Sequence, residues 1–170
     1  MIRPEQLKRV PVPASISVPE IAGDVLEGLS RTPKSLPPKL LYDAEGSALF
    51  EQITCLPEYY PTRTEAAILM THADEICARL GKNVSVGELG AGTATKTRIL
   101  LRSLLRRQFS VNYFPLDVSD AALQLAKDEV EKELQAVNVH PQIGDFEDLT
   151  FLELQARPRL VLYIGSSIGN

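Results

Sequence analysis

The rhythm of apolar and polar positions changes near residue 84. Before it, apolar residues recur at helical spacing in separate blocks. In Pro19–Leu29, Ile21, Val25 and Leu29 share one face, and Pro19 stands where a helix start tolerates proline. Ser47–Ile53 predicts a short helix. Thr62–Leu80 predicts a longer one, with Ala66, Leu69, Ala73, Ile76 and Leu80 on one face and Gly81 as its stop. From Val84 onward, short apolar runs alternate with amphipathic stretches. They predict strands at 84–89, 111–117, 137–143 and 159–164, and helices at 95–107, 119–136 and 147–155. Such alternation builds an α/β fold of the Rossmann-like kind, a parallel sheet with helices on both faces.

Nine of the twelve prolines fall at or before Pro61, so the first third is richer in loops than the rest. Three segments follow: an arm and helix over 1–32, a helical segment over 33–82 and the α/β core over 83–170. The run LVLYIGSSIGN is as apolar as a central strand, which wants neighbours on both sides. The sheet is therefore expected to be incomplete at Asn170. The net charge of −4 lacks the basic excess that nucleic acid demands. No apolar run approaches membrane-spanning length, and the first residues lack a signal-peptide core. Cys55 and Cys77 have no metal-ligand spacing and are expected to be reduced. The setting predicted is cytoplasmic.

The stretch around which the core is organised is Val84–Lys96, VSVGELGAGTATK. It is a strand, a glycine turn and a helix start, the order that cradles a nucleotide-like ligand on backbone N–H groups. Three ligands compete. A phosphate loop would need glycine where Thr95 stands, and Glu88 would repel a triphosphate. A dinucleotide fingerprint also needs glycine at 95. S-Adenosylmethionine has a positive centre and an adenosine, and suits an acid before the glycines. Asp117 ends the second strand, 27 positions after Gly90, where a carboxylate can accept both ribose hydroxyls. Asp145-Phe146 ends the third, where a carboxylate can accept from the adenine amine and a ring can pack on the base. The competing explanation is that Asp117 and Asp145 simply cap the helices that follow.

The stretches LPPKLLYDAEGSALFEQITCLPEYYPTRTEAAIL, ELGAGTATKTRILL, PLDVS, GDFEDL and YIGSSIGN resemble the histidine-specific methyltransferase family, from about Pro33 to Asn170. The resemblance implies a class I methyltransferase core that continues beyond this chain. It implies transfer of methyl groups from S-adenosylmethionine to the α-amino nitrogen of L-histidine, three times over, giving a trimethylated betaine in ergothioneine biosynthesis. It also assigns residues. Gly90, Lys96, Asp117, Asp145 and Phe146 correspond to cofactor-binding positions. Tyr59 and Asn170 correspond to substrate-binding positions, with Tyr42 and Gly165 lining the same pocket. Two alternatives remain: a relative acting on a prenylated tryptophan, and a module that binds cofactor without turnover.

Methyl transfer from a sulfonium is an in-line displacement by a neutral amine, and positioning dominates it. Neither a general base nor a metal is obligatory, so no catalytic residue is singled out. Lys96 opens a helix, where a cation opposes the dipole, so an anion such as the cofactor's carboxylate would explain it. Other candidates have plainer explanations. His72 and His140 lack partners at ligand spacing, and Arg98, Arg102, Arg106 and Arg107 fit a solvated helix face.

Overall fold

A computed structural model describes residues 18–145 and 158–165. Phe146, Asn170 and the helix expected at 147–155 lie outside them. Three helices come first: α1 (Val18–Ser30), α2 (Ala44–Thr54) and α3 (Pro61–Ala78). A 3-10 turn over Pro38–Leu41, not expected from the sequence, precedes α2. Helix α2 starts three residues earlier than its apolar pattern suggests because Asp43 caps it, accepting from Gly46 N at 2.7 Å. Pro61 opens α3 at a position where its missing N–H costs nothing.

The core then alternates β1 (Ser85–Leu89), α4 (Thr97–Leu105), β2 (Val111–Asp117), α5 (Asp120–Glu133), β3 (Val137–Val139), β4 (Gln142–Ile143) and β5 (Arg159–Leu162). All described strand pairings are parallel. The order is β3-β2-β1-β5, with β4 continuing alongside β2. The strand expected over 137–143 is thus two pieces. The register that pairs Tyr113 with Val139 and Leu116 with Gln142 sets Pro115 against Pro141. Neither proline has an N–H to donate, so the ladder breaks between them.

The chain moves outward from β1 through β2 to β3, then returns to the other side of β1 as β5. That reversal makes a crevice beyond the carboxyl ends of the strands, where open α/β sheets hold ligands. Beneath it, Val84, Val86, Leu100, Leu101, Leu104, Tyr113 and Val130 are fully buried. Gln108 closes the base of β1: its Oε1 accepts from Val84 N at 2.8 Å and its Nε2 donates to Val84 O at 2.9 Å. Helix α3 packs on α4 through Ala73 and Cys77, so Cys77 belongs to the face that the sequence pattern assigned to its neighbours. No helix among the described residues is long and apolar enough to cross a membrane.

Arg98 and Arg102 of α4 and Arg106 at its C-cap join helices, while Arg102 and Arg106 stay more than half exposed as expected. Arg98 bonds Glu133 at 3.0 Å, Arg102 bonds the same carboxylate, and Arg106 bonds Asp74 of α3. Arg98 and Glu133 are both half-buried or better, so screening is incomplete. Glu133→Ala is expected to cost about 1 kcal/mol in urea unfolding at low salt, shrinking as salt is raised. A loss independent of salt would mean that packing, not charge, joins α4 to α5.

Candidate functional site

The turn after β1 is held open by its own backbone. Gly90 and Gly92 have φ of +66° and +52°, a conformation that side chains resist. Gly90 N and Ala91 N both donate to Leu116 O, at 2.9 and 3.1 Å, which seats the turn over the end of β2. A Cβ added at either glycine would meet no atom within 4 Å, so the space above the turn is free for a ligand. That space is part of a cavity of about 870 Å³, within the roughly 300–1,000 Å³ range of small-molecule sites.

Asp117 reaches into this turn. Its Oδ2 accepts from Gly92 N at 2.8 Å and its Oδ1 from Ser119 N at 2.9 Å. Helix α5 is capped by Ser119, whose Oγ accepts from Ala122 N. Asp117 is therefore not the cap of the following helix, and a carboxylate with about four acceptor positions keeps some for a ligand. Burial pushes its pKa up, opposed by the N–H bonds from Ser119 and Gly92.

Glu88, expected as an acid facing a cation, is turned beneath the glycine turn. It is 3% exposed, and its oxygens accept from Thr97 Oγ1 at 2.6 Å and from the Tyr113 hydroxyl. These bonds tie together the end of β1, the centre of β2 and the first residue of α4. Burial lifts the Glu88 carboxyl to about 7, against the pull of Thr97, Tyr113 and the nearby Lys96.

Lys96 stands at the N-cap position of α4 without capping it; its Nζ lies 2.5 Å from Glu65 Oε2 on α3. Beside it is Gly165, at φ +121°, with Lys96 Nζ 3.7 Å from where its Cβ would be, and both line the cavity. Asp145 also borders the cavity and pairs with Lys39, whose Nζ is 3.2 Å from Asp145 Oδ2 and 3.1 Å from Asp24 Oδ2. Burial works against the Lys39 ammonium, but the bonds to Asp24 and Asp145 more than offset it and raise its pKa.

An aromatic wall completes the cavity. Phe50 stands edge-to-face with Tyr42 and with Tyr59, both at 6.0 Å between ring centres. Tyr42 is pushed to a higher pKa by burial first, then by Tyr59 and Asp117. Tyr59 lines the cavity, whereas Tyr60 is 66% exposed. Arg63 fixes the loop between them and α2: its guanidinium donates to Leu56 O at 2.8 Å and Pro57 O at 2.6 Å.

Seven expected site residues, Tyr42, Tyr59, Gly90, Lys96, Asp117, Asp145 and Gly165, thus line one cavity. Phe146 and Asn170 fall outside the described residues. Sequence reasoning missed Lys39, Phe50 and Glu65; the only signal for each was its place inside the stretch from Leu36 to Leu69. The two histidines are elsewhere: His72 is 3.6 Å from Glu75 on the surface, and His140 stacks on Phe114.

Comparison with known proteins points to one family. A family model described as "Histidine-specific methyltransferase, SAM-dependent" matches residues 21–170. A histidine N-alpha-methyltransferase of Mycolicibacterium smegmatis is 46% identical over 147 residues, covering 86% of this chain and 46% of that protein. Ergothioneine biosynthesis protein 1 of Neurospora crassa is 35% identical over 142 residues, 81% of this chain and 16% of that protein. A 4-dimethylallyltryptophan N-methyltransferase of Claviceps purpurea is 31% identical over 163 residues, 91% of this chain and 46% of that protein. The chain spans about half the length of the bacterial relative, at 46%.

Proposed function

The chain belongs to the S-adenosylmethionine-dependent histidine-specific methyltransferase family, and on that premise we propose that it acts in methylation of the α-amino group of L-histidine. The product would be the trimethylated betaine, hercynine, formed in ergothioneine biosynthesis. The observation that carries this reading is the meeting of Tyr59, from the LPEYYP loop, with the glycine turn and Asp117 around one cavity. In this reading residues 83–170 hold the cofactor, 33–82 shape the substrate side, and 1–32 form an arm and helix. A cytoplasmic setting accompanies it, in keeping with the unpaired thiols of Cys55 and Cys77.

The residues fit the cofactor chemically. Asp117 offers its remaining lone pairs to the ribose hydroxyls. Asp145 offers an acceptor to the adenine amine, with Phe146 beside it in sequence, and Lys96 offers a cation to the carboxylate. Once bound, the cofactor supplies an electrophilic methyl group on sulfur. The chain's own part is alignment. The family resemblance gives Tyr59 and Asn170 the role of hydrogen-bonding the amine and carboxylate of histidine, and Tyr59, Tyr42 and Gly165 line one cavity. The attacking α-amino group must shed its proton before transfer, and hydrogen bonding to its neutral form would favour that state.

The test is to supply the protein with S-adenosylmethionine and L-histidine and follow the mono-, di- and trimethylated products by mass spectrometry. Tyr59→Phe is expected to raise the KM for histidine roughly tenfold by removing one hydrogen bond to a charged group, with Tyr60→Phe unchanged. Methylation of 4-dimethylallyltryptophan instead of histidine would move the substrate to that of the Claviceps relative. Cofactor binding with no methylated product would overturn the enzymatic reading.

A further inference from the structure

Lys96 and Glu65 face the cavity as a pair of opposite charges drawn from different elements, the glycine turn and α3. Their side chains are 19% and 33% exposed, and Gly165 leaves the space beside Lys96 Nζ open. A partly exposed ion pair of this kind contributes little by itself, so a ligand that replaces both halves can open it readily. A zwitterionic α-amino acid group does that: its carboxylate replaces Glu65 beside Lys96, and its ammonium replaces Lys96 beside Glu65.

Nearby carboxylates are otherwise engaged. Glu88 is held by Thr97 and Tyr113, Asp117 by Gly92 and Ser119, and Asp145 by Lys39. Two amino-acid ends enter this chemistry, those of the methyl donor and of histidine. The histidine amine must be neutral to attack, and a carboxylate beside it would favour the ammonium form. The donor's own amine is under no such demand. We propose that Glu65 is a cofactor-binding residue that, with Lys96, receives the zwitterionic amino-acid end of the methyl donor. This rests on the methyltransferase reading of the site. It also links α3, which begins directly after the tyrosine loop, to occupancy of the cofactor loop.

Calorimetry with two probes tests it: S-adenosylhomocysteine, and the same molecule lacking its amino group. Glu65→Gln is expected to weaken S-adenosylhomocysteine roughly tenfold while leaving the deaminated probe unchanged, and Glu65→Asp is expected to recover part of the loss. Equal weakening of both probes would assign Glu65 a merely structural role and overturn the proposal, as would unchanged binding of S-adenosylhomocysteine. If the unsubstituted protein binds neither probe, the cofactor reading itself fails, an outcome distinct from a failure of Glu65 alone.

Discussion

If Asp117 receives the ribose hydroxyls as proposed, Asp117→Ala is expected to weaken S-adenosylhomocysteine binding by about a hundredfold or more, because a charged, partly desolvated acceptor would be lost. The effect has two sources in the structure. The ligand would lose its proposed acceptor, and Gly92 N and Ser119 N lose theirs, so the glycine turn and the entry to α5 loosen together. Asp117→Asn separates this from a simple loss of charge. Both aspartate oxygens accept from backbone N–H groups, whereas an amide has only one acceptor oxygen, so one contact becomes donor against donor. The asparagine variant is therefore expected to bind nearly as poorly as the alanine variant. Near-normal binding by Asp117→Asn in calorimetry would show that Asp117 serves neither the turn nor the ribose.

Glu88→Ala carries the largest expected stability loss, about 3–5 kcal/mol in urea unfolding. It opens a cavity under the turn and leaves the hydroxyls of Tyr113 and Thr97 buried without their acceptor. Glu88→Gln keeps the shape, since an amide can accept from one hydroxyl and donate to the other. What it removes is a pH dependence. The carboxyl titrates at about 7 in the folded chain, against 4.5 for an ordinary glutamate. Between those values the folded form keeps the proton and the unfolded form has released it. Folding then binds the extra proton, so stability is fully present below 4.5 and is lost as pH rises through 7. The slope from this one group is at most about 1.4 kcal/mol per pH unit. Unfolding measured across this window is expected to show the slope in the unsubstituted protein and a flatter curve in Glu88→Gln. Identical slopes would place the titration elsewhere.

The elements that a short stretch of chain can specify were legible. The helix from Pro61, the glycine turn and the strands at 85–89 and 111–117 follow from periodicity, proline placement and glycine's freedom at positive φ. The positions of Asp117 and Asp145 at strand ends were also legible, because parallel strands end on one side of a sheet. The break at Pro115 and Pro141 was not. Each proline alone is compatible with a strand, and only the register sets one against the other.

Side-chain destinations separate the two kinds of information further. Glu88 was legible as an acid before the glycines, but not as one turned inward onto Tyr113, 25 residues away. Tyr59 and Tyr60 are adjacent and chemically alike; the loop that Arg63 pins sends one ring to the cavity and the other to solvent. Lys96 was legible as a cation in need of an anion, and the structure supplies Glu65, 31 residues earlier. By itself the sequence determined the alternating core and the glycine turn, because these rest on local rules that act over one or two turns of chain, and its motifs carried the family resemblance. The tertiary structure alone decided that Glu88 bonds Tyr113, which tyrosine joins the cavity and which charge Lys96 meets. Those outcomes depend on how α3, the turn and β2 pack together, and packing between segments 25 or more residues apart leaves no periodic trace in the chain.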